Sequence, residues 1–248
     1  MRVLITRPVE DAEPLASRLR GLGIASLIEP LMSIRVLPGA AFDLRGVQAI
    51  LATSANGVRA FVRRASRRDI PLFAVGDATA TAARDAGFTH VDSAGGDVIA
   101  LAGRVRKRLD PSAGPLLHVA GSVVARDLSR LLQDAGFACR RAVLYEARPA
   151  KSLSPATVRA IRAGELGGVL FFSPRTAEVF VRLARKAQLM RACRRLAVFA
   201  LSPAVAAKAA PISWRDCRVA ATPNQDALLA LLAAWRAPLK NPSTYGRS

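Results

Sequence analysis

Short runs of consecutive apolar residues alternate along this chain with stretches in which apolar positions recur every three or four residues. The runs Arg2–Thr6, Val47–Ala52, Leu72–Val75, Leu116–Val119, Val169–Phe172 and Leu196–Leu201 predict strands. Apolar side chains at successive positions mark strands covered on both faces, as in parallel sheets. Helical spacing links Val58, Phe61, Val62 and Ala65, and again Val98, Leu101, Ala102 and Val105. The same i, i+3, i+4, i+7 stripe joins Leu128, Leu131, Leu132 and Ala135, then Phe180, Leu183, Ala184 and Ala187. Gly23, Gly87 and Gly136 each follow a helical stretch, where a left-handed cap suits glycine. Thr222-Pro223-Asn224-Gln225 has the spacing of a capping box, with proline at the first helical position. Strands alternating with amphipathic helices predict an α/β fold with parallel sheets flanked by helices.

The pattern echoes itself. Ile50–Phe61 resembles Leu170–Phe180, Phe73–Ala80 resembles Phe199–Ala206, and Arg2–Pro8 resembles Leu116–Ser122. The order differs between the two sets, which predicts two similar domains, one of them assembled from both ends of the chain. Leu31–Pro38 and Arg140–Arg148 read as extended crossings bounded by prolines. Two crossings permit a hinge and a cleft between domains.

At 248 residues, 51% of them apolar, the chain has enough material for two cores and is not a disordered polymer. Three isolated Cys and two His leave no zinc-site spacing and no disulfide framework. His118 and His90 read as a strand-end and a loop histidine without a chemical role. The start of the chain reads as a strand rather than a signal peptide, and the apolar run Ala227–Trp235 is too short to span a bilayer. The expectation is a soluble protein of a reducing cytoplasm, with no membrane contact. Basic residues number 37 against 18 acidic ones, for a net charge of +19. That excess suits a polyanionic partner. Aromatic content of 5% argues against a single-strand stacking platform, and there is no long basic block, so nucleic acid is not the expected partner. A non-catalytic two-domain binder of a polyanionic ligand or nucleic acid is the alternative that this charge leaves open.

The recurring unit is a strand, a small or hydroxylated residue, then a helix. It occurs at Thr6-Arg7-Pro8, Thr53-Ser54-Ala55-Asn56-Gly57, Gly76-Asp77-Ala78-Thr79, Ala120-Gly121-Ser122, Ser173-Pro174-Arg175-Thr176 and Ser202-Pro203-Ala204. Ligands of open parallel sheets bind beyond the carboxyl ends of the strands. There the first turn of each helix offers unbonded N–H groups and a partial positive charge to anions. Singly, each of these residues reads as an N-cap; as a set they suit a ligand with several carboxylates. None is a GxGxxG or GxxxxGK[ST] loop, so no nucleotide cofactor is expected. Tyr145 lies in the second crossing and reads either as packing or as a proton donor, since a phenol keeps its proton at neutral pH. Arg7 and Arg148 border the same region and are candidates for pairing with carboxylates.

Together, Leu4–Pro8, Thr53–Gly57, Val75–Ala80, Val143-Leu144-Tyr145-Glu146, Phe171–Pro174 and Leu201–Ala204 resemble, in order, the uroporphyrinogen-III synthase family from Met1 to about Trp235. The resemblance implies one α/β domain of residues 1–33 plus 149–236 and a second of 38–142. Linker strands at 34–37 and 143–148 would join them, an active-site cleft would lie between them, and 237–248 would be a disordered tail. It implies a monomeric, cytoplasmic lyase without metal or organic cofactor, whose substrate is hydroxymethylbilane. By carry-over, Tyr145 matches the family's tyrosine that assists hydroxyl departure and is the expected catalytic residue. Thr79 matches a threonine that lines the cleft, and Ser54 and Ser173 match the family's strand-end serines and are expected to contact substrate. Arg7, Asn56, Gly76, Gly121, Ser122, Arg148 and Ser202 complete the expected substrate contacts. The family can carry Gly and Thr where this chain has Ser202 and Val205, which leaves a backbone role at Ser202 and none for a hydroxyl at Val205.

Overall fold

The structure is a computed structural model that describes residues 1–39, 42–123 and 128–236. In chain order the strands are β1 (Arg2–Ile5), β2 (Ala25–Ile28), β3 (Met32–Val36), β4 (Ala49–Ala52), β5 (Leu72–Ala74), β6 (Val91–Ser93), β7 (Leu116–Gly121), β8 (Cys139–Pro149), β9 (Gly168–Phe171), β10 (Ala197–Ala200) and β11 (Asp216–Val219). The helices are α1 (Val9–Gly21), α2 (Ala55–Val62), α3 (Asp77–Asp85), α4 (Val98–Arg108), α5 (Leu128–Gln133), α6 (Pro155–Ala163), α7 (Pro174–Lys186), α8 (Met190–Cys193), α9 (Pro203–Ala209) and α10 (Gln225–Arg236).

The chain divides into two compact units, Met1–Ser33 with the chain from Pro149 onward, and Ile34–Arg148. The first carries a sheet of order β11-β10-β9-β1-β2, the second a sheet of order β3-β8-β7-β4-β5-β6. The pairings of β1, β2, β9, β10 and β11 are all parallel, as are those of β4 to β8. Taken as first to fifth strands, β1, β2, β9, β10 and β11 stand in the doubly wound order 2-1-3-4-5. The second unit has the same order if β7 and β8 are counted first, so its chain starts at the third strand of the pattern. The echoes fall on equivalent positions: β4–α2 with β9–α7, β5–α3 with β10–α9, and β1 with β7. The segments 34–37 and 143–148 fall inside the second unit, where β3 lies beside β8 and Leu37 N–H donates to Leu144 C=O at 2.9 Å.

Burial explains the strand pattern. Every residue of β4, β5, β7, β9 and β10 is buried, because helices cover both faces. In the second unit Ile50, Val58, Phe61 and Phe88 form the core on one face, and Leu51, Phe73, Leu101 and Leu132 that on the other. In the first unit α1 and α10 cover one face through Leu15, Leu19, Leu228 and Leu232. Phe171, Phe180 and Trp214 interlock elsewhere in that unit, with Phe171 and Phe180 centred 5.4 Å apart. Among the described residues no helix is long and apolar enough to cross a membrane.

Helix ends follow local chemistry. Gly23, Gly87 and Gly136 take φ of +68°, +90° and +84°, where a side chain would be strained. The start of α10 differs from the capping-box expectation. Asn224 caps it, its Oδ1 accepting from Ala227 N–H at 2.8 Å, and Thr222 Oγ1 accepts from Asn224 Nδ2. Pro223 therefore lies outside the helix, since an Asn side chain nearer the apolar stripe satisfies the free amide first. His118 is interior to β7 rather than at its end, buried to 2% exposure. The proposed tail 237–248, with Tyr245, lies outside the described residues.

Candidate active site

Parallel pairing puts all the carboxyl ends of one sheet along one edge. In the second unit that edge carries the turns after β4, β5 and β7, hence Ser54, Asn56, Gly76, Thr79, Gly121 and Ser122. In the first unit it carries Arg7, Ser173 and Ser202. Strand order reverses between β7 and β4, and between β1 and β9, the places where open α/β sheets leave a crevice.

The second unit brings four expected residues together. Ser54 is the N-cap of α2, its Oγ accepting from Gly57 N–H at 3.1 Å. Gly57 lets α2 start close against β7, because a Cβ there would stand 2.7 Å from Val119 C=O. Tyr145, on β8, reaches past β7 to Ser54, with Oη and Oγ 2.8 Å apart. Its ring lies over Gly121, where an added Cβ would be 2.8 Å from Cζ. Ser122 N–H donates to the Tyr145 carbonyl at 2.8 Å. Tyr145 is half-buried and packs against the core beside Leu144. Beneath this layer Thr53 Oγ1 and His118 Nε2 stand 3.3 Å apart, within hydrogen-bond reach.

The other expected residues have contacts of their own. Thr79 is buried on the first turn of α3, whose N-cap Gly76 is extended and forms no side-chain cap bond. Asn56 Oδ1 accepts from Arg59 Nη1 at 3.1 Å. Arg148 pairs with Glu146 at 2.5 Å, and Arg35 reaches the same oxygen at 3.4 Å. In the first unit Arg7 is braced rather than loose. It pairs with Asp11 at 3.1 Å, donates to Gln225 Oε1 at 2.9 Å and lies over the Phe172 ring at 4.6 Å. Ser173 caps α7 through Thr176 N–H at 3.2 Å, and Ser202 begins α9 with no side-chain cap bond.

Two arrangements escaped sequence reasoning. Arg141 Nη2 donates to the carbonyls of Gly121 and Ser122 at 2.8 and 3.3 Å, which places a cation behind that turn. Nothing in the sequence marks Arg141 among its many arginines, since only strand register brings it there. Glu29, buried after β2, accepts from Ser154 N–H at 3.0 Å and from the hydroxyls of Ser154 and Thr157. Its signal is a lone acid following an apolar run, too common to single out. A hollow of about 320 Å³ lined by Phe42, Arg64, Leu117, Arg140 and Val143 includes none of the expected site residues. Among the described residues no group of three or more His, Cys, Asp or Glu could hold a metal ion.

Two doubly wound units with exposed helix starts at the carboxyl ends of their strands, one of which positions a phenol, define a class of α/β proteins suited to polyanionic small molecules. The comparisons make this specific. The profile of the uroporphyrinogen-III synthase HemD family matches residues 13–230. The chain belongs to the uroporphyrinogen-III synthase family, and its activity is that of a cyclising lyase of tetrapyrrole synthesis. The crystal structure of uroporphyrinogen-III synthetase from Helicobacter pylori 26695 is similar at 17% identity and a TM-score of 0.63, over 95% of this chain and 100% of that one. A mutant uroporphyrinogen III synthase from the extremely thermophilic bacterium Thermus thermophilus is similar at 17% identity and a TM-score of 0.52, over 95% and 97%. No curated protein matches the chain by sequence.

Proposed function

We propose that the chain closes hydroxymethylbilane, a linear tetrapyrrole with acetate and propionate groups on every ring, to uroporphyrinogen III. Water is lost and ring D is reversed. The observation that carries this reading is the Tyr145 hydroxyl, 2.8 Å from Ser54 at the carboxyl edge of a parallel sheet. The nitrogen of ring A expels the hydroxyl and leaves an azafulvene electrophile, so the protein supplies only a weak acid at the departing oxygen. Tyr145 is that acid. Beside Tyr145 in the same unit, the starts of α2 and α3 take substrate carboxylates through first-turn N–H groups.

Attack through the substituted carbon of ring D gives a spiro intermediate, which fragments and recloses with that ring reversed. Simple closure without reversal competes. Holding the chain curled so that the spiro path wins is a matter of positioning. A preference of about a hundredfold requires only about 2.7 kcal/mol. This proposed route draws on no metal or organic cofactor. The test is product analysis: the purified chain with hydroxymethylbilane and no added metal yields the type III isomer. Type I product alone would overturn the reading.

A further inference from the structure

We propose that Ser54 and Gly121 are positioning residues: Ser54 donates its proton to the Tyr145 oxygen, so that the phenol's own proton is left for the departing hydroxyl, and Gly121 leaves the space in which the ring lies. The inference rests on Tyr145 as the proton donor.

The backbone makes the arrangement specific. Along β7 and β8 the register runs Ala120 opposite Val143 and then Gly121 opposite Tyr145, with one extra residue, Leu144, on β8. Strict alternation would put Leu144 and Tyr145 on opposite faces of the sheet. The irregularity turns both toward the core beside α2: Leu144 is buried in it and Tyr145 packs against it. Re-aiming one side chain is what such bulges do. Ser122 N–H on the Tyr145 carbonyl fixes the backbone at that point.

The ring then runs over Gly121, where a Cβ would lie 2.8 Å from Cζ and 3.1 Å from Oη. Any side chain at 121 pushes the phenol off its line to Ser54. Ser54 is anchored in turn, because its Oγ accepts from Gly57 N–H at 3.1 Å as the cap of α2. One lone pair is committed to the helix, and the oxygen stands 2.8 Å from Oη, a pair in which either hydroxyl can donate; the proposal makes Ser54 the donor. A hydroxyl donating to the phenol oxygen also stabilises the negative charge that grows there as the proton leaves.

The test uses the full chain carrying Tyr245→Phe, which leaves Tyr145 as its sole tyrosine. The Raman Fermi doublet of tyrosine then reports whether the Tyr145 oxygen accepts a hydrogen bond, with no substrate present. Ser54→Ala should abolish the acceptor signature and lower kcat about tenfold, the factor one such hydrogen bond is worth, with KM little changed. Ser54→Thr should restore both. Gly121→Ala should lose the same signature although both hydroxyls remain. Asp97→Ala removes the N-cap of α4 in the same unit and should leave the doublet as it is. A wild-type doublet or a wild-type kcat in Ser54→Ala, or an unchanged doublet in Gly121→Ala, overturns the proposal. Full activity in Tyr145→Phe removes instead the reading on which it rests, while a slow Tyr145→Phe beside a fast Ser54→Ala removes the positioning role alone.

Discussion

Glu29→Ala removes the buried acid that joins the end of β2 to the start of α6. Glu29 is 5% exposed, and its carboxylate takes the Ser154 N–H and the hydroxyls of Ser154 and Thr157. Hydrogen bonds to a charged group are worth about 1.5–3 kcal/mol each, but they are not all lost outright. Ser154 Oγ already stands 3.2 Å from Thr157 Oγ1, so the two hydroxyls can satisfy each other. The Ser154 N–H has no such substitute, and stranding it costs about 1–3 kcal/mol. The negative charge also sits at the positive end of α6, an interaction worth about 1 kcal/mol in a partly buried setting. The one buried methylene removed adds about 0.8 kcal/mol. The expected loss is about 3–5 kcal/mol. Both tryptophans, Trp214 and Trp235, belong to the unit that contains Glu29, so urea unfolding followed by tryptophan fluorescence reads that unit. The midpoint should fall with little change in slope. Glu29→Gln keeps an acceptor oxygen and should lose about 1–2 kcal/mol, the scale of one weakened hydrogen bond. A Glu29→Ala variant within about 1 kcal/mol of the parent would show that the clasp is not worth what charged hydrogen bonds ordinarily are.

Tyr145→Phe should slow turnover about a hundredfold, the lower end of general acid catalysis, because the substrate provides most of the push. Its stability should drop only about 1 kcal/mol for the lost bond to Ser54, and unchanged turnover would take Tyr145 out of the chemistry. Cys193 is fully buried, and burial pushes its thiol up to about 12, whereas Cys217 is exposed on β11 with its thiol raised less, by partial burial and then by Asp216. A maleimide near neutral pH should label Cys217 and spare Cys193 until the chain unfolds; equal rates would contradict the burial. Arg67 grips Asp69 through two hydrogen bonds and holds its carboxyl at about 2, below the ordinary 3.8. A depressed folded value means the pair's contribution is complete above the ordinary carboxyl range and is lost as pH falls toward about 2. A carboxyl titration by NMR with an Asp69 midpoint near the ordinary value would show that the grip does not persist in solution.

What the sequence makes legible depends on burial. β4, β5, β7, β9 and β10 read as strands because every residue in them is apolar enough to be covered on both faces, apart from His118. β2, β6 and β11 do not stand out: each is an edge strand of three or four residues with partly exposed positions. An edge strand has one open side and needs no continuous apolar run. The individual site residues are legible as turn and cap chemistry, but their convergence is not. Tyr145 and Ser54 are far apart in sequence and meet only through the register of β8 on β7 and the extra residue Leu144. Periodicity cannot reveal a bulge, because the bulge breaks it.

The internal repeat serves as a control on function. Equivalent strands end in equivalent turns, so a device present in one unit alone answers more than a packing need that both share. Gly76 and Ser202 open α3 and α9 with extended backbone and no side-chain cap bond, and leave first-turn amides open in each unit. Ser54 and Ser173 both cap, through Gly57 N–H at 3.1 Å and Thr176 N–H at 3.2 Å. Their second hydrogen bonds differ. That of Ser173 stays in its own helix, 2.7 Å from Thr176 Oγ1, whereas that of Ser54 leaves α2 for Tyr145 at 2.8 Å. A departure from the shared pattern that costs a glycine at 121 and a bulge in β8 has no packing counterpart in the other unit. It follows that Ser54→Ala and Ser173→Ala should lose similar stability, about 1 kcal/mol for a serine cap. Turnover should fall further in the Ser54 variant, because only there is the tyrosine released. Matched losses of turnover in the two variants would mean that the asymmetry between the units has no bearing on catalysis.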